Sequence, residues 1–226
     1  MKSLQESLFD SDLTSKDILY HPKTKDELKN IIKEQLELQG PDANLNVIDV
    51  SKIEDMRELF FELDPHNIDI SNWNVKKTKY MEFMFYKCEN FNSDLSKWDV
   101  SKVLDMEFMF YKCKNFNSDL SKWDVRNVEN MCCIFYECEK FDSNLSNWNV
   151  GDVKNMYGMF DKCRKFNSDL SRWDVSKVLD MTFMFDNCSS FNSDLSKWDI
   201  DNVEHMRCMF NNCKSLKKIP SWYEKS

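Results

Sequence analysis

Glycine and proline are nearly missing from this chain: three and four residues in 226. Turns must therefore rest on Asn, Asp and Ser, whose short side chains bond to nearby backbone. There is no Gly-rich loop to cradle a phosphate. Histidine is equally scarce. His21, His66 and His205 are scattered and form no pattern with a Ser or Cys partner, so no catalytic set emerges and the expectation is a protein that is not an enzyme. No apolar run reaches the roughly 18 residues of a membrane span. The opening MKSLQESLFDSDLTSKD has no apolar stretch behind its Lys, which excludes a secretory signal by pattern and points to the cytoplasm. Net charge is −8, from 39 acidic and 31 basic residues. A surplus of that sign excludes a general binder of nucleic acid or anionic membrane.

Aromatic residues are abundant at 14%, against disorder. They are also periodic. FNSDLSKW occupies 91–98 and returns at 116–123 and 191–198, with FNSDLSRW at 166–173 and FDSNLSNW at 141–148. Trp, Met, Phe and Cys each recur every 25 residues, as at Trp98, Trp123 and Trp148, or Cys88, Cys113 and Cys138. A unit that short cannot bury its own apolar face, whereas stacked units cover one another. Within a unit, Met106, Met109, Phe110 and Cys113 stand at offsets of one helical face. Phe116, Leu120, Trp123, Val125 and Val128 are spaced as a short strand flanked by turns.

The expected fold is thus an α/β solenoid: a leucine-rich-repeat-like right-handed coil of 25-residue units, each a short strand plus a short helix, with an N-terminal capping helix. The cap is expected over TKDELKNIIKEQLEL, residues 24–38, with Leu28, Ile31, Ile32 and Leu36 on one face, Thr24 as N-cap and Gly40-Pro41 as the stop. The expected divisions are a loose arm at 1–20, a helical cap at 21–43, about seven units over 44–213 and a C-terminal cap at 214–226.

The consensus LSxWDVSxVxxMxxMFxxCxxFNxD resembles the BspA-like leucine-rich repeat surface proteins, a family with 25-residue repeats of a domain of unknown function. YHPKTKDELKNIIKEQLELQGPDANLNVIDVSKIEDM resembles the capping module found before such repeats. The resemblance spans roughly residues 20–226. It implies a non-enzymatic protein–protein interaction or adhesion-type module at a cell surface, with a structural or self-assembling scaffold as the alternative. It also implies a secreted or surface location as the alternative to the cytoplasmic one. The expected partner is an unknown protein, from a host or the protein itself, with no nucleic acid, no membrane insertion and no cofactor.

Six of the nine cysteines share one apolar position, so the expectation is inward-facing structural thiols; disulfides between neighbouring units stay open. Their spacing lacks the C-x2–4-C grouping of a zinc site. The column Asp49, Asn74, Asp99, Asp124, Asn149, Asp174 and Asp199 fits turn bonding, with calcium as the sharper alternative. Two surfaces are candidate partner sites. Phe83, Tyr86, Phe108, Tyr111 and Tyr136 would lie opposite the core on the expected helices, unless the rings only widen the core. Lys97, Lys122, Asn147, Arg172 and Lys197 form a mostly basic row beside Asp94, Asp119, Asn144, Asp169 and Asp194. That pair of rows would recognise a charged peptide, or merely face water.

Overall fold

A computed structural model describes residues 18–223. The expected arm at 1–20 falls mostly outside the described residues, as do the last three residues of the expected C-terminal cap.

One helix forms, α1 (Lys25–Gln39). Thr24 caps it: its side-chain oxygen accepts the Glu27 N–H at 3.1 Å, and the Glu27 carboxylate in turn accepts the Lys23 N–H at 2.7 Å. This reciprocal arrangement satisfies N–H groups that a helix start leaves orphaned. Gly40, at φ 85°, ends the helix and donates its N–H to the Leu36 carbonyl. Leu28 and Ile32 are fully buried, so α1 lays its apolar face against the following segments.

From residue 55 onward, successive segments lie parallel and in register. Isolated bridges join Asp55 to Tyr80, Tyr80 to Asp105, and so on to His205, always 25 residues apart. The elements differ from those expected. Among the described residues α1 is the one α-helix, and bridges remain isolated rather than extending into strands. The leucine-rich-repeat-like α/β solenoid of strand-plus-helix units is therefore corrected to a stack built from turns.

The physical reason lies in the hydrogen bonds of 106–113. Met106, Phe108, Phe110 and Lys112 donate their N–H groups forward to the carbonyls of Asn130, Cys132, Ile134 and Tyr136, at 2.7–3.1 Å. Between them, Met109, Tyr111 and Cys113 donate back three residues, to Met106, Phe108 and Phe110. Every N–H is satisfied, yet the pattern is neither the four-back ladder of an α-helix nor the ladder of a strand. Phe108 and Lys112 sit at φ 53° and 60° to make it possible. The offsets of Met106, Met109, Phe110 and Cys113 still put all four side chains in the core, each 0% exposed. A helix and this chain of turns bury the same positions.

The core is a set of columns running along the stack. Phe85, Phe110, Phe135, Phe160 and Phe185 stack at 5.6–5.7 Å between ring centres. The tryptophan column is spaced more widely, 6.2 Å for Trp73–Trp98 and 6.4 Å for Trp123–Trp148. Tyr86–Tyr111 and Tyr111–Tyr136, on another side, are closer at 4.8 and 4.6 Å.

Polar atoms inside the columns sew one segment to the previous one. From Trp73 to Trp198 the indole N–H donates to a carbonyl 28 residues earlier, as Trp123 to Leu95 and Trp148 to Leu120. The six thiols of the cysteine column, Cys88 to Cys213, do the same, Cys113 to Phe85 at 3.0 Å and Cys163 to Phe135 at 2.9 Å. Ser118 and Ser143 accept the N–H groups of Leu95 and Leu120 at 2.8 Å. Without the serines the Leu95 and Leu120 N–H groups would be orphaned, at about 1–3 kcal/mol each; the indoles and thiols add a second bond to carbonyls that already accept a turn N–H, such as Leu95 from Trp98 and Phe85 from Cys88.

Candidate functional site

The chain brings the five aromatic candidates together. Phe83 stacks on Phe108 at 5.0 Å, Tyr86 on Tyr111 and Tyr111 on Tyr136, and Phe108 meets Tyr111 edge-on at 5.4 Å. They do not project from helices. Phe83 and Phe108 occupy left-handed turn positions, φ 58° and 53°, and all five rings are half-buried. Lys87, Lys112 and Lys162 lie over the rings of Tyr86, Tyr111 and Tyr136 at 4.8–5.6 Å. Burial, then the neighbouring phenols, push Tyr111 up to about 12. The tyrosine faces are thus occupied by other rings or by lysine, and Phe83 and Phe108 cover one face of each other.

At 158 the column loses its side chain. Gly158 has φ 55°, and a Cβ there would sit 3.1 Å from Cys133 Sγ. In the adjacent column Asp161 stands where Tyr86, Tyr111 and Tyr136 stand earlier. It is 7% exposed, and its Oδ1 has no hydrogen-bond partner. Burial, then the Asp186 carboxylate, raise this carboxyl to about 6, with Lys162 offsetting part of the effect. The switch from Tyr to Asp at this fixed position is visible in the sequence; the burial of Asp161 is not.

The cation row lies elsewhere, beside the tryptophan column. Lys97, Lys122, Arg172 and Lys197 are exposed, and none has an ion-pair partner among the described residues. Other lysines behave differently. Lys79, Lys114, Lys154 and Lys177 each pair with a carboxylate one segment earlier: Glu54, Glu89, Glu129 and Asp152, at 2.5–2.9 Å. The neighbouring Asp94, Asp119, Asp169 and Asp194 use Oδ1 to accept the N–H two residues on, from Ser96, Ser121, Ser171 and Ser196. Those bonds to the serines, with help from the adjacent cations, hold the four carboxyls below the usual carboxylate range. Asn144 makes the same turn with Ser146, and Asn147 stands in the cation row at that level without a charge.

Between these rows runs an open polar trough. One hollow of about 590 Å³ is lined by Asn167, Asp169, Arg172, Asn192, Asp194 and Lys197. A second, of about 440 Å³, is lined by Asp142, Asn144, Asn147, Asn167, Asp169 and Arg172, one register earlier. They share Asn167, Asp169 and Arg172, so the trough continues from segment to segment. Two asparagines of its lining, Asn167 and Asn192, were not singled out from sequence. Their Oδ1 atoms accept backbone N–H groups 25 residues on, Asn167 from Asn192 and Asn192 from Lys217, which fixes the amides in place.

The Asp and Asn column at 49–199 makes turn bonds as well, Asp99 to the Ser101 N–H and Asp174 to the Ser176 N–H, both at 3.1 Å. No cluster of three or more His, Cys, Asp or Glu among the described residues is arranged to hold a metal ion. The cysteines are free thiols; Cys113, Cys138, Cys163 and Cys188 are 0% exposed, and burial pushes each of these four thiols well up. Among the described residues, no helix is long and apolar enough to cross a membrane.

A turn-built stack with an aromatic column and a charge-balanced polar trough is the class of protein that fold and surface define. The chain belongs to the family described as "Mycoplasma protein of unknown function, DUF285", which matches residues 27–137 and 112–223. That description corrects the expected assignment to the BspA-like leucine-rich repeat surface proteins. No curated protein matches the sequence. Among solved structures it is similar to the crystal structure of the TLR13-ssRNA13 complex, at 10% identity over 75% of this chain and 37% of that one, with a TM-score of 0.22. A likeness that faint carries no argument. The protein–protein interaction or adhesion-type repeat module, and its scaffold alternative, rested on an α/β coil. With no strand or helix recurring along the described residues, both are withdrawn.

Proposed function

We propose that the protein is a non-catalytic binder of a linear polyhydroxylated chain, a glycan, held along the polar trough. The observation that carries this reading is the pair of overlapping hollows, one register apart, that share Asn167, Asp169 and Arg172. A groove that repeats its groups suits a ligand that repeats its own.

Chemistry narrows the class. Most levels carry one carboxylate and one cation without an ion pair, and fixed asparagine amides lie alongside. Hydroxyls donate and accept, so one sugar can satisfy an Asp oxygen and a Lys or Arg N–H together. A polyanion would meet the cations but be repelled by the aspartate row, which stays ionised to low pH. Every lining residue is Asn, Asp, Ser, Arg or Lys, so no aliphatic or aromatic side chain walls the trough as in a small-molecule pocket. The aromatic column contributes stability to the body rather than a stacking platform, since its tyrosine faces are taken.

Titration calorimetry with neutral hexasaccharides, set against a sulfated hexasaccharide, tests the reading. Saturable binding of a neutral sugar is expected, with weak dependence on salt. Arg172→Ala with Lys197→Ala should weaken it about tenfold, or roughly 1.4 kcal/mol. Binding of only the sulfated sugar, with a steep salt dependence, would refute the proposal, as would silence from every neutral sugar.

A further inference from the structure

Charges beside the tyrosine column follow a rule until residue 189. Glu89, Lys114, Glu139 and Arg164 hold one position on successive levels and alternate in sign. Each cation pairs one level back, Lys114 with Glu89 at 2.9 Å and Arg164 with Glu139 at 3.9 Å. The alternation calls for a carboxylate next, and the chain has Ser189, followed by Lys214. Lys214 therefore meets a serine one level back, and it has no ion-pair partner among the described residues. A hollow of about 510 Å³ opens where the carboxylates stop. Its lining is Lys162, Arg164, Asn187, Ser189, Asn212 and Lys214: three cations, two amides and a hydroxyl, with no carboxylate. We propose that this hollow binds a phosphate group, free or as a small monoester.

The lining groups have donors to spare. Lys162 Nζ is held against Tyr136, donating to its hydroxyl at 2.6 Å, and an ammonium keeps two further N–H groups after one such bond. The Arg164 guanidinium is exposed, and its contact with Glu139 at 3.9 Å is longer than a hydrogen bond, so its fork of donors is open to a better acceptor. Asn212 Nδ2 donates to Asn187 Oδ1 at 2.9 Å and keeps a second hydrogen. Ser189 Oγ donates to the Arg164 carbonyl at 3.1 Å, a bond the hydroxyl exchanges by rotating. The neighbouring position loses its carboxylate in the same way: Glu137 and Lys162 are followed by Asn187 and Asn212.

The occupant follows from charge and shape. Three cations around one hollow repel one another, and an anion among them relieves that cost. Glu137 and Asp161 attract Lys162, and Glu139 attracts Arg164, but none of the three lines the hollow, and Lys214 is left uncompensated. Arg164 and Lys214 stand two levels apart. The oxygens of a phosphate point in different directions and meet cations on separate levels, whereas the two oxygens of a carboxylate share one plane; arginine also forks onto phosphate. The hollow is larger than a bare phosphate requires, which leaves room for a small organic substituent. It shares no residue with the polar trough, so the two sites stand or fall separately.

The test is titration calorimetry of the full chain at neutral pH and low ionic strength, with inorganic phosphate and with glycerol 3-phosphate as separate probes. Saturable binding at one site is expected. Equal binding of the two assigns the free ion, tighter binding of the ester assigns a monoester, and either supports the proposal. Arg164→Ala and Lys214→Ala should each weaken binding about tenfold. Ser189→Glu supplies the missing carboxylate from the chain itself. It should abolish phosphate binding and, in phosphate-free buffer, raise the thermal unfolding midpoint by about 1–3 °C, which also shows that the variant is folded. Lys102→Ala removes an exposed cation elsewhere and should leave binding unchanged. Absence of saturable binding by both probes would overturn the proposal. So would undiminished binding by the Ser189→Glu variant, or a loss on Lys102→Ala as large as on Lys214→Ala, which marks general attraction to surface charge.

Discussion

Asp161 makes the molecule less stable at neutral pH than at mildly acid pH. Its carboxyl is buried beside Asp186, and the two environments together raise it from 3.8 to about 6. The sign follows from proton binding. Between those two values the folded chain holds a proton that the unfolded chain has released, so stability falls as pH rises through this window and is flat above it. A difference of roughly two pH units is worth about 3 kcal/mol; water reaching the carboxylate brings the net effect nearer 1–2 kcal/mol. Asp161→Asn keeps the shape and deletes the charge. Urea unfolding of both proteins from pH 4 to pH 8 reads the difference directly. The variant should gain on the parent from about pH 4 to pH 6, and hold a constant lead of about 1–2 kcal/mol beyond it. Carboxylates such as Asp55 and Asp99, held low by Arg57 and Ser101, weaken both proteins alike in stronger acid and cancel in the comparison. A parent that outlasts the variant at pH 7, or a gap that does not change with pH, would refute the reasoning.

Three further outcomes follow from the same contacts. Trp148→Phe keeps a stacked ring next to Trp123 but removes the indole bond to the Leu120 carbonyl, which retains the Trp123 N–H, and should cost about 1–2 kcal/mol in chemical denaturation from the lost bond and the smaller ring. Gly158→Ala sets a Cβ 3.1 Å from Cys133 Sγ at positive φ, and should cost about 1–2 kcal/mol; pairing it with Cys133→Ala should return part of that loss in a double-mutant cycle. Iodoacetamide should label the half-exposed Cys208 of the native chain well before Cys113, Cys138, Cys163 or Cys188, as read by peptide mapping.

The spacing of the stack was legible in the sequence, and its elements were not. Trp98, Trp123 and Trp148 announce that residues 25 apart meet, and bridges and rings meet at that spacing. The local conformation was hidden because burial alone does not encode it. Met106, Met109, Phe110 and Cys113 would face inward from a helix and do face inward from turns. The deciding variable is positive φ at Phe108 and Lys112, residues that do not advertise it. Gly158 at the Phe108 position, and Asn187 and Asn212 at the Lys112 position, carried the hint, being residue types that accept positive φ. The cation row could be named from sequence, but its lack of ion pairs could not, because pairing depends on which column a lysine falls in. Lys114 finds Glu89 one segment back, whereas Lys122, eight residues later, finds no carboxylate partner.

The unequal spacing of the ring columns shows that the levels are not simply translated. Equivalent rings are carried from one level to the next by a single operation, so 4.6–4.8 Å at the tyrosines against 6.2–6.4 Å at the tryptophans means that each level is rotated as well as advanced, with the tyrosines nearer the rotation axis. Lys97, Lys122, Arg172 and Lys197 stand beside the tryptophans, where the step is longer. A polymer bound there would have to turn with the levels, meeting one set of contacts about every 6 Å.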